Sequence, residues 1–243
     1  MKNLKRNYHF DKIDSTSAFL KCRSFSLRNF TFVSADFQTA GHGRMGRTWI
    51  SNKDENLLFS LLIKDKKLID NFSSVSLAVA TSIFNTLKEF GFDDISIKWP
   101  NDVYAGGRKI CGILLESTSD NGNISSLVVG VGLNVNAKEF NGEFIVPPTS
   151  MFLQTGEDFP LNIVKKKVYK NLKKDLINLK KGKSDYLSVA RPNNFLKNKK
   201  VFAEINGQKT EILVKDIAEN NALVYELNGK EYTIFSGEIT FHV

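Results

Sequence analysis

Residues 95–134 read ISIKWPNDVYAGGRKICGILLESTSDNGNISSLVVGVGLN, and their pattern decides the fold class. From Ile95 to Trp99 apolar and polar side chains alternate with the period of a strand. The strand must turn at Pro100, which lacks a backbone donor and denies Trp99 the helical region. Ala105-Gly106-Gly107-Arg108 reads as a hairpin turn, and residues 109–116 and 124–134 form a second hairpin around Asp120-Asn121-Gly122-Asn123. Hairpins set among helices point to an α+β fold: a mixed, mainly antiparallel sheet with helices on one face, rather than a doubly wound one.

Upstream, Asp14-Ser15-Thr16-Ser17 offers several N-caps ahead of Ala18-Phe19-Leu20-Lys21, so a helix starts there. Residues 31–35 form a short strand and 57–63 a buried one. Residues 72–90 form a helix, with Leu77, Ala80, Phe84 and Leu87 on one face and Gly91 as its stop. Downstream, Leu161, Val164, Val168, Leu172, Leu176 and Leu179 mark a long amphipathic helix. After Lys197 only short strands remain: 201–205, 210–215, 222–227, 231–235 and 238–241. Asn206-Gly207 and Asn228-Gly229 are their tight turns. That spacing predicts a small β barrel. The chain divides near 191–199, giving residues 1–190 as the larger domain and 197–243 as the smaller.

A chain of 243 residues with 42% hydrophobic and 25% charged side chains is an ordinary globular protein able to bury its own core. The N-terminus has no signal-peptide pattern, and the longest apolar stretches are strand-length, so a cytoplasmic protein is expected. Its two cysteines, Cys22 and Cys111, form no metal-binding or redox spacing. The net charge of +8 suits an anionic partner. Much of the excess lies in the lysines between 165 and 183, whose plainest reading is a solvated helix face.

Chemistry concentrates in three places. Gly41-His42-Gly43-Arg44-Met45-Gly46-Arg47 combines glycines, which let backbone N–H groups approach an anion, with forked arginine donors. Its spacing is neither a P-loop nor a dinucleotide fingerprint, and alone it is as consistent with a solvated loop as with an anion site. The segment from Gln38 to Thr48 is nearly without apolar residues and is expected to be mobile until something binds it. Lys98-Trp99-Pro100-Asn101-Asp102 sets a cation and two short polar side chains about a strand end, although Asn101-Asp102 also suits a simple turn. Lys109 can return to the same mouth. Gly112, with Gly130 and Gly132 on the next strand, marks two strands lacking side chains, a slot suited to a flat ring.

Four motifs occur in order: Gly-x-Gly-Arg-x-Gly-Arg-x-Trp at 41–49, Lys-Trp-Pro-Asn-Asp at 98–102, Lys-x-x-Gly-Ile-Leu-x-Glu at 109–116 and Val-Gly-x-Gly-Leu-Asn at 129–134. Together they resemble the biotin–protein ligase family, from about Asp14 to Pro148-Thr149-Ser150 and more faintly to Gly237-Glu238-Ile239. The resemblance implies a class II synthetase-like biotin/lipoate ligase fold followed by a small SH3-like barrel. It implies that Ser15, Thr16, Ser17 and Gln38 hold the ureido ring of biotin, and that the loop with Gly41, His42, Gly43 and Arg44 closes over it. By the same likeness Lys109 approaches the biotin carboxylate, while Gly112, Gly130 and Gly132 leave room for the ligand. Arg44, Arg47, Trp49, Asn101 and Asn134 would serve ATP and the adenylate. His42 departs from the family's usual arginine, and Ser17 from a common asparagine.

The implied reaction forms biotinyl-5′-AMP from biotin and ATP, then passes biotin to a lysine of the biotin carboxyl carrier protein of acetyl-CoA carboxylase. Arg44, Lys109 and Lys98, with Arg47 and Mg²⁺, are the candidates for neutralising the two anionic reactants, and no fixed protein ligand to the metal is expected. No DNA or membrane partner is expected; a homodimer is left open. A lipoate–protein ligase shares the fold and the chemistry. A basic nucleic-acid-binding protein fits the charge but leaves Lys109 and the glycine pairs unexplained, and Ser15-Thr16 begins too early to leave room for a preceding helix-turn-helix.

Overall fold

The computed structural model describes residues 6–142, 144, 146–205, 207–235, 239 and 240. Strand β1 (Asn7–Phe10), helix α1 (Thr16–Arg23) and strand β2 (Phe32–Ala35) form a strand–helix–strand unit whose strands pair in parallel, Tyr8 beside Val33. Then come β3 (Asn56–Ile63), α2 (Lys66–Asp70), α3 (Phe72–Glu89), β4 (Ile95–Lys98), β5 (Asp102–Ala105), β6 (Arg108–Asp120) and β7 (Asn123–Asn134). These strands make a seven-stranded sheet in the order β1-β2-β3-β7-β6-β5-β4. Every pair other than β1–β2 is antiparallel, as the hairpin pattern predicts. The β6–β7 hairpin is tighter than the sequence reading: only Asn121 and Gly122 turn the chain, at φ of 48° and 80°. Positive φ at both positions is what a two-residue turn of this twist needs.

Every residue of β3 is buried, because both faces of the sheet are covered there. Leu57, Phe59 and Leu61 join the main core with Val129, Val131 and Leu133 of β7, while Leu62 and Val128 pack with Leu20 of α1 on the other face. That explains an apolar run without alternation. Helix α3 buries thirteen of its eighteen residues and ends at Glu89, with Phe90 as its cap and Gly91 following at φ 86°. It packs against α5 (Leu161–Lys180), which follows the short α4 (Met151–Thr155) and precedes α6 (Asp185–Ala190). On α5 the buried residues Val164, Val168, Leu172 and Leu176 form one stripe, and the lysines occupy the rest. Asp65 receives Lys180 at 2.6 Å and Glu89 receives Lys167 at 3.0 Å, so two of those lysines also tie α5 to its neighbours. Of the described residues, no helix is long and apolar enough to cross a membrane.

The five C-terminal strands expected from sequence are present: β8 (Lys200–Ile205), β9 (Gln208–Ile217), β10 (Leu223–Leu227), β11 (Lys230–Ile234) and β12 (Ile239–Thr240). They form one antiparallel sheet, β11-β10-β9-β8-β12; among the described residues β11 and β12 do not pair to close it into a full barrel. Asn206, Gly237, Glu238 and Phe241 of the sequence reading lie outside the described residues. The two sheets share no strand, yet Val201, Ile212, Val214 and Leu223 belong to the same apolar cluster as Val75 and Ile97. Asn221 is the polar tie between the parts. Its carbonyl accepts from the Trp99 indole at 2.9 Å, its side chain accepts from Tyr186 Oη at 2.7 Å, and it donates to Ser74 Oγ at 2.8 Å. The strand end that carries Lys98 and Asn101 is thereby braced from the C-terminal sheet. Cys22 is exposed and Cys111 buried, both unpaired, and burial pushes the Cys111 thiol well above its ordinary range.

Candidate functional site

One face of the large sheet rests on α3 and α5. Against the other, where β3, β7 and β6 run side by side, opens a cavity of about 390 Å³. Every site residue named from the sequence lines it except Gly41. Cross-strand register sets its floor: Gly112 lies opposite Gly132, Leu114 opposite Gly130, and Gly130 opposite Ser60.

At one end sits a corner of hydroxyls and an amide. Ser15 caps α1, its side chain accepting from Ala18 N–H, and so turns Thr16 and Ser17 inward. Thr16 donates from backbone and hydroxyl to Gln38 Oε1, at 2.7 and 3.0 Å. Ser60 Oγ lies 2.7 Å from Thr16 Oγ1 and 2.8 Å from Ser17 Oγ. Gln38's carbonyl oxygen is thus engaged, while among the described residues its NH₂ group has no partner. A Cβ at position 130 would sit 2.6 Å from Ser17 Oγ, so Gly130 is the space into which that hydroxyl fits.

The segment 41–49 is a small hairpin flap over the cavity. Trp49 N–H donates to Gly41 O at 3.0 Å, Gly43 N–H donates to Arg47 O at 2.7 Å, and His42 pairs with Thr48. Met45 and Gly46 turn the chain at φ of 53° and 73°. These bonds supply order that composition alone does not reveal. Gly41 lies outside the cavity because its role is closure: a Cβ there would meet Trp49 O at 2.8 Å. Flap and strand are joined by Arg44, whose Nη1 donates to Asn101 Oδ1 at 3.1 Å while Asn101 Nδ2 donates to Ile113 O at 2.7 Å.

The slot left by Gly112 and Gly132 does hold a flat ring, and the ring is the protein's own. A Cβ at Gly112 would lie 2.8 Å from Trp49 Cζ3, and one at Gly132 2.6 Å from Trp49 Cζ2. In this structure the Trp49 indole occupies that slot, and Trp49, Gly112 and Gly132 all line the cavity. The indole Nε1 is buried without a partner, as is Asn134 Oδ1, whose Nδ2 donates to Thr149 O at 2.9 Å. A buried orphan donor and a buried orphan acceptor in one cavity are what a polar ligand would satisfy.

The other end is cationic. Lys109 Nζ stands 2.8 Å from Asp102 Oδ1, but off the direction of an aligned hydrogen bond, so the carboxylate oxygen is paired by charge alone. Burial holds the Lys98 ammonium below its ordinary value; Asp102 opposes that shift, and Lys109 and Arg47 add to it. Burial likewise raises the Tyr104 phenol, over whose ring Lys98 Nζ sits at 5.7 Å. Ser60, Asp102 and Tyr104 line the cavity, and of these only Asp102 falls in a motif read from sequence; Glu116, the last residue of the 109–116 motif, is not among the lining residues. Ser60 had one signal, a lone hydroxyl inside an otherwise apolar strand. Glu116 Oε1 accepts from Lys21 Nζ at 2.7 Å, and its Oε2 lies 3.6 Å from His42 Nε2.

Residues 9–134 match the Biotin/lipoate A/B protein ligase family, more than half of the chain, and the chain belongs to that family. It is similar to the bifunctional ligase/repressor BirA of Salmonella typhimurium, at 29% identity over 230 residues, 94% of this chain and 72% of that protein. The biotin--[acetyl-CoA-carboxylase] ligase of Mycobacterium tuberculosis is 25% identical over 233 residues, 93% of this chain and 85% of its own. Biotin protein ligase from Aquifex aeolicus, solved in complex with biotin and ATP, superposes with a TM-score of 0.86 at 28% identity, covering 98% of each chain.

Proposed function

We propose that this protein is a biotin–protein ligase that condenses biotin with ATP into biotinyl-5′-AMP and transfers the biotin to a lysine of a biotin carboxyl carrier protein. One observation carries the reading: a single cavity sets a neutral hydrogen-bonding corner at one end against clustered cations at the other. Biotin has that polarity, a ureido ring at one end and a carboxylate at the other. The ureido oxygen and N–H groups would take the Thr16, Ser17, Ser60 and Gln38 groups, and the Trp49 indole would cover the apolar chain.

The first half-reaction brings a carboxylate against a triphosphate, so repulsion is the barrier to lower. Two unit charges 4 Å apart interact with about 4 kcal/mol at an effective dielectric near 20, so each well-placed cation matters. Lys109 would exchange Asp102 for the substrate carboxylate. Lys98, desolvated at the strand end, together with Arg44 and Arg47, would hold the phosphates while diphosphate leaves. The closed flap keeps water from the mixed anhydride until the carrier amine attacks. Magnesium would enter with the triphosphate and offset its charge. The sequence reading expects no fixed protein ligand; Asp102, with its poorly paired buried oxygen, is the side chain that would fit the ion, the phosphates supplying the rest. The one group of three metal-capable side chains among the described residues, His9, Asp11 and Asp36, lies outside this cavity. Residues 1–190 would form the catalytic unit, and 197–243 a smaller unit that braces it through Asn221.

A lipoate–protein ligase is disfavoured by the polar corner. The dithiolane ring of lipoate has no hydrogen-bonding group, and burying it there would leave the Gln38 NH₂ group without a partner and spare acceptor capacity on the hydroxyls unused. Biotin-dependent exchange of radiolabelled diphosphate into ATP, followed by the mass of a carrier domain, tests the proposal. Exchange with lipoate and not with biotin would overturn it.

A further inference from the structure

Glu116 sits at the meeting of three elements that each supply part of the cavity. It projects from β6, four residues beyond Gly112. From α1, whose start carries Thr16 and Ser17, Lys21 Nζ reaches its Oε1 at 2.7 Å. From the flap, His42 Nε2 faces its Oε2 at 3.6 Å. That second oxygen is buried and has no hydrogen-bond partner. Opposite Glu116 on β7 stands Val128, which offers no charge. The ring's other nitrogen, Nδ1, lies 3.3 Å from the Ala40 carbonyl, so the imidazole is steered with Nε2 toward the carboxylate. A buried acceptor left short of one donor, with a histidine from the flap just beyond hydrogen-bond reach, is an ion pair awaiting a proton.

We propose that Glu116 is a positioning residue that latches the flap through protonated His42, so that closure over the cavity strengthens as pH falls. The consequence for adenylate retention rests on the ligase reading; the latch itself does not. The imidazolium gives Glu116 Oε2 a charged donor and pulls residues 41–43 onto β6, while Lys21 holds the other carboxylate oxygen at 2.7 Å. In the neutral ring the proton sits on Nδ1, which faces the Ala40 carbonyl, so Nε2 offers the carboxylate neither donor nor charge. Histidine changes charge roughly between pH 5 and 8. For a half-exposed pair the closed fraction should change about two- to fivefold across that range.

The experiment is limited chymotryptic cleavage of the full chain at Met45, the exposed tip of the flap, at pH 6 and pH 8, normalised at each pH to a free peptide spanning the flap. Wild-type protein should be cut about two- to fivefold faster at pH 8. Glu116→Gln, near isosteric, should be cut fast at both values. His42→Arg, which installs a cation that does not titrate, should be cut slowly at both. Wild-type pH dependence persisting in either variant overturns the latch, as does a pH-independent wild type. His42→Arg alters only an exposed flap residue, so it keeps the test alive should Glu116→Gln fail to fold. Biotin-dependent diphosphate exchange on the same preparations separates the two readings: its absence sinks the ligase assignment and leaves the cleavage result standing.

Discussion

Gly132→Ala should unseat the flap while leaving the fold intact. The added methyl would lie 2.6 Å from Trp49 Cζ2 and 2.7 Å from its Nε1, separations no van der Waals contact tolerates. Overpacking of this kind typically costs about 1–3 kcal/mol. In a closed core the strain would fall on global stability. Here the colliding ring belongs to a hairpin that can lift away, so the cost falls on closure. A closing equilibrium weakened by that amount changes by about 5- to 140-fold. Biotinyl-AMP formed in the site should escape faster by a similar factor, read as release of radiolabelled adenylate from the isolated complex. A second readout needs no ligand. The chain has two tryptophans, and Trp99 is 2% exposed and held by Asn221, so a change in emission reports on Trp49. A red shift with an unchanged urea midpoint is expected. Gly130→Ala is the internal comparison: its methyl would strike Ser17 Oγ at 2.6 Å, weakening biotin without moving Trp49. Adenylate release within twofold of wild type in Gly132→Ala, with unshifted emission, would refute the packing argument.

Arg44→Gly removes the bond from flap to Asn101, so biotinyl-AMP should leak and label lysines of unrelated proteins; mass spectrometry of such a mixture would show equal labelling by wild type and variant if the bond is irrelevant. Lys109→Ala leaves Asp102 without its counter-charge and the substrate carboxylate without its cation, and should depress the diphosphate burst by at least tenfold; an unchanged burst removes Lys109 from that role. Asn221→Ala keeps the Trp99 bond, which uses the backbone, but strands Tyr186 and Ser74 and places alanine at φ 69°. About 2–4 kcal/mol should be lost in urea unfolding, and less than 0.5 would contradict it. Acid should weaken the fold through Asp65, held below the ordinary carboxylate value first by its hydrogen bond to Lys180, and through Glu89, lowered first by Lys167. A depressed carboxylate adds stability above its unfolded pKa and loses it as pH falls through the lower folded one. The loss should therefore set in below about pH 4 and be smaller in Lys180→Ala.

The fold was legible where burial is one-sided and turns are short. Period-two alternation from Ile95 and the Gly106-Gly107 and Asn121-Gly122 turns locate β4 to β7, and the leucine stripe locates α5, because each writes its environment into consecutive side chains. Strand β1 left no such record. Asn7-Tyr8-His9-Phe10 is an edge strand whose residues alternate between exposed and half-buried, and it exists because β2 offers a partner 25 residues further on, through a parallel crossover. Nothing local distinguishes it from a polar terminus. Helices α2, α4 and α6, of five, five and six residues, are too short for a periodic stripe and depend on caps such as Asp65 and Ser150.

The site divides along the same physical line. Residue types that do one thing, arginine beside glycine or a lysine after a hairpin, advertise themselves, and Arg44, Lys98 and Lys109 lie around the cavity the motifs foretell. What sequence order cannot carry is which of two vacancies a ring fills. Gly112 and Gly132 declare missing side chains, and that absence is equally explained by a substrate or by a tryptophan 63 to 83 residues away in the chain; the cross-strand register and the seated indole bring in the tryptophan, which no local pattern announces. Glu116 is hidden for a related reason. The sequence shows it as the last residue of the 109–116 motif with no role attached, and its significance arises only when α1 and the flap bring Lys21 and His42 to opposite oxygens of the same carboxylate. With the indole seated, a ligand meets apolar surface whose water is released favourably, rather than the polar backbone of a bare glycine slot. The position of Trp49 thus makes the cavity a preformed surface for an apolar chain, with the polar work left to its two ends.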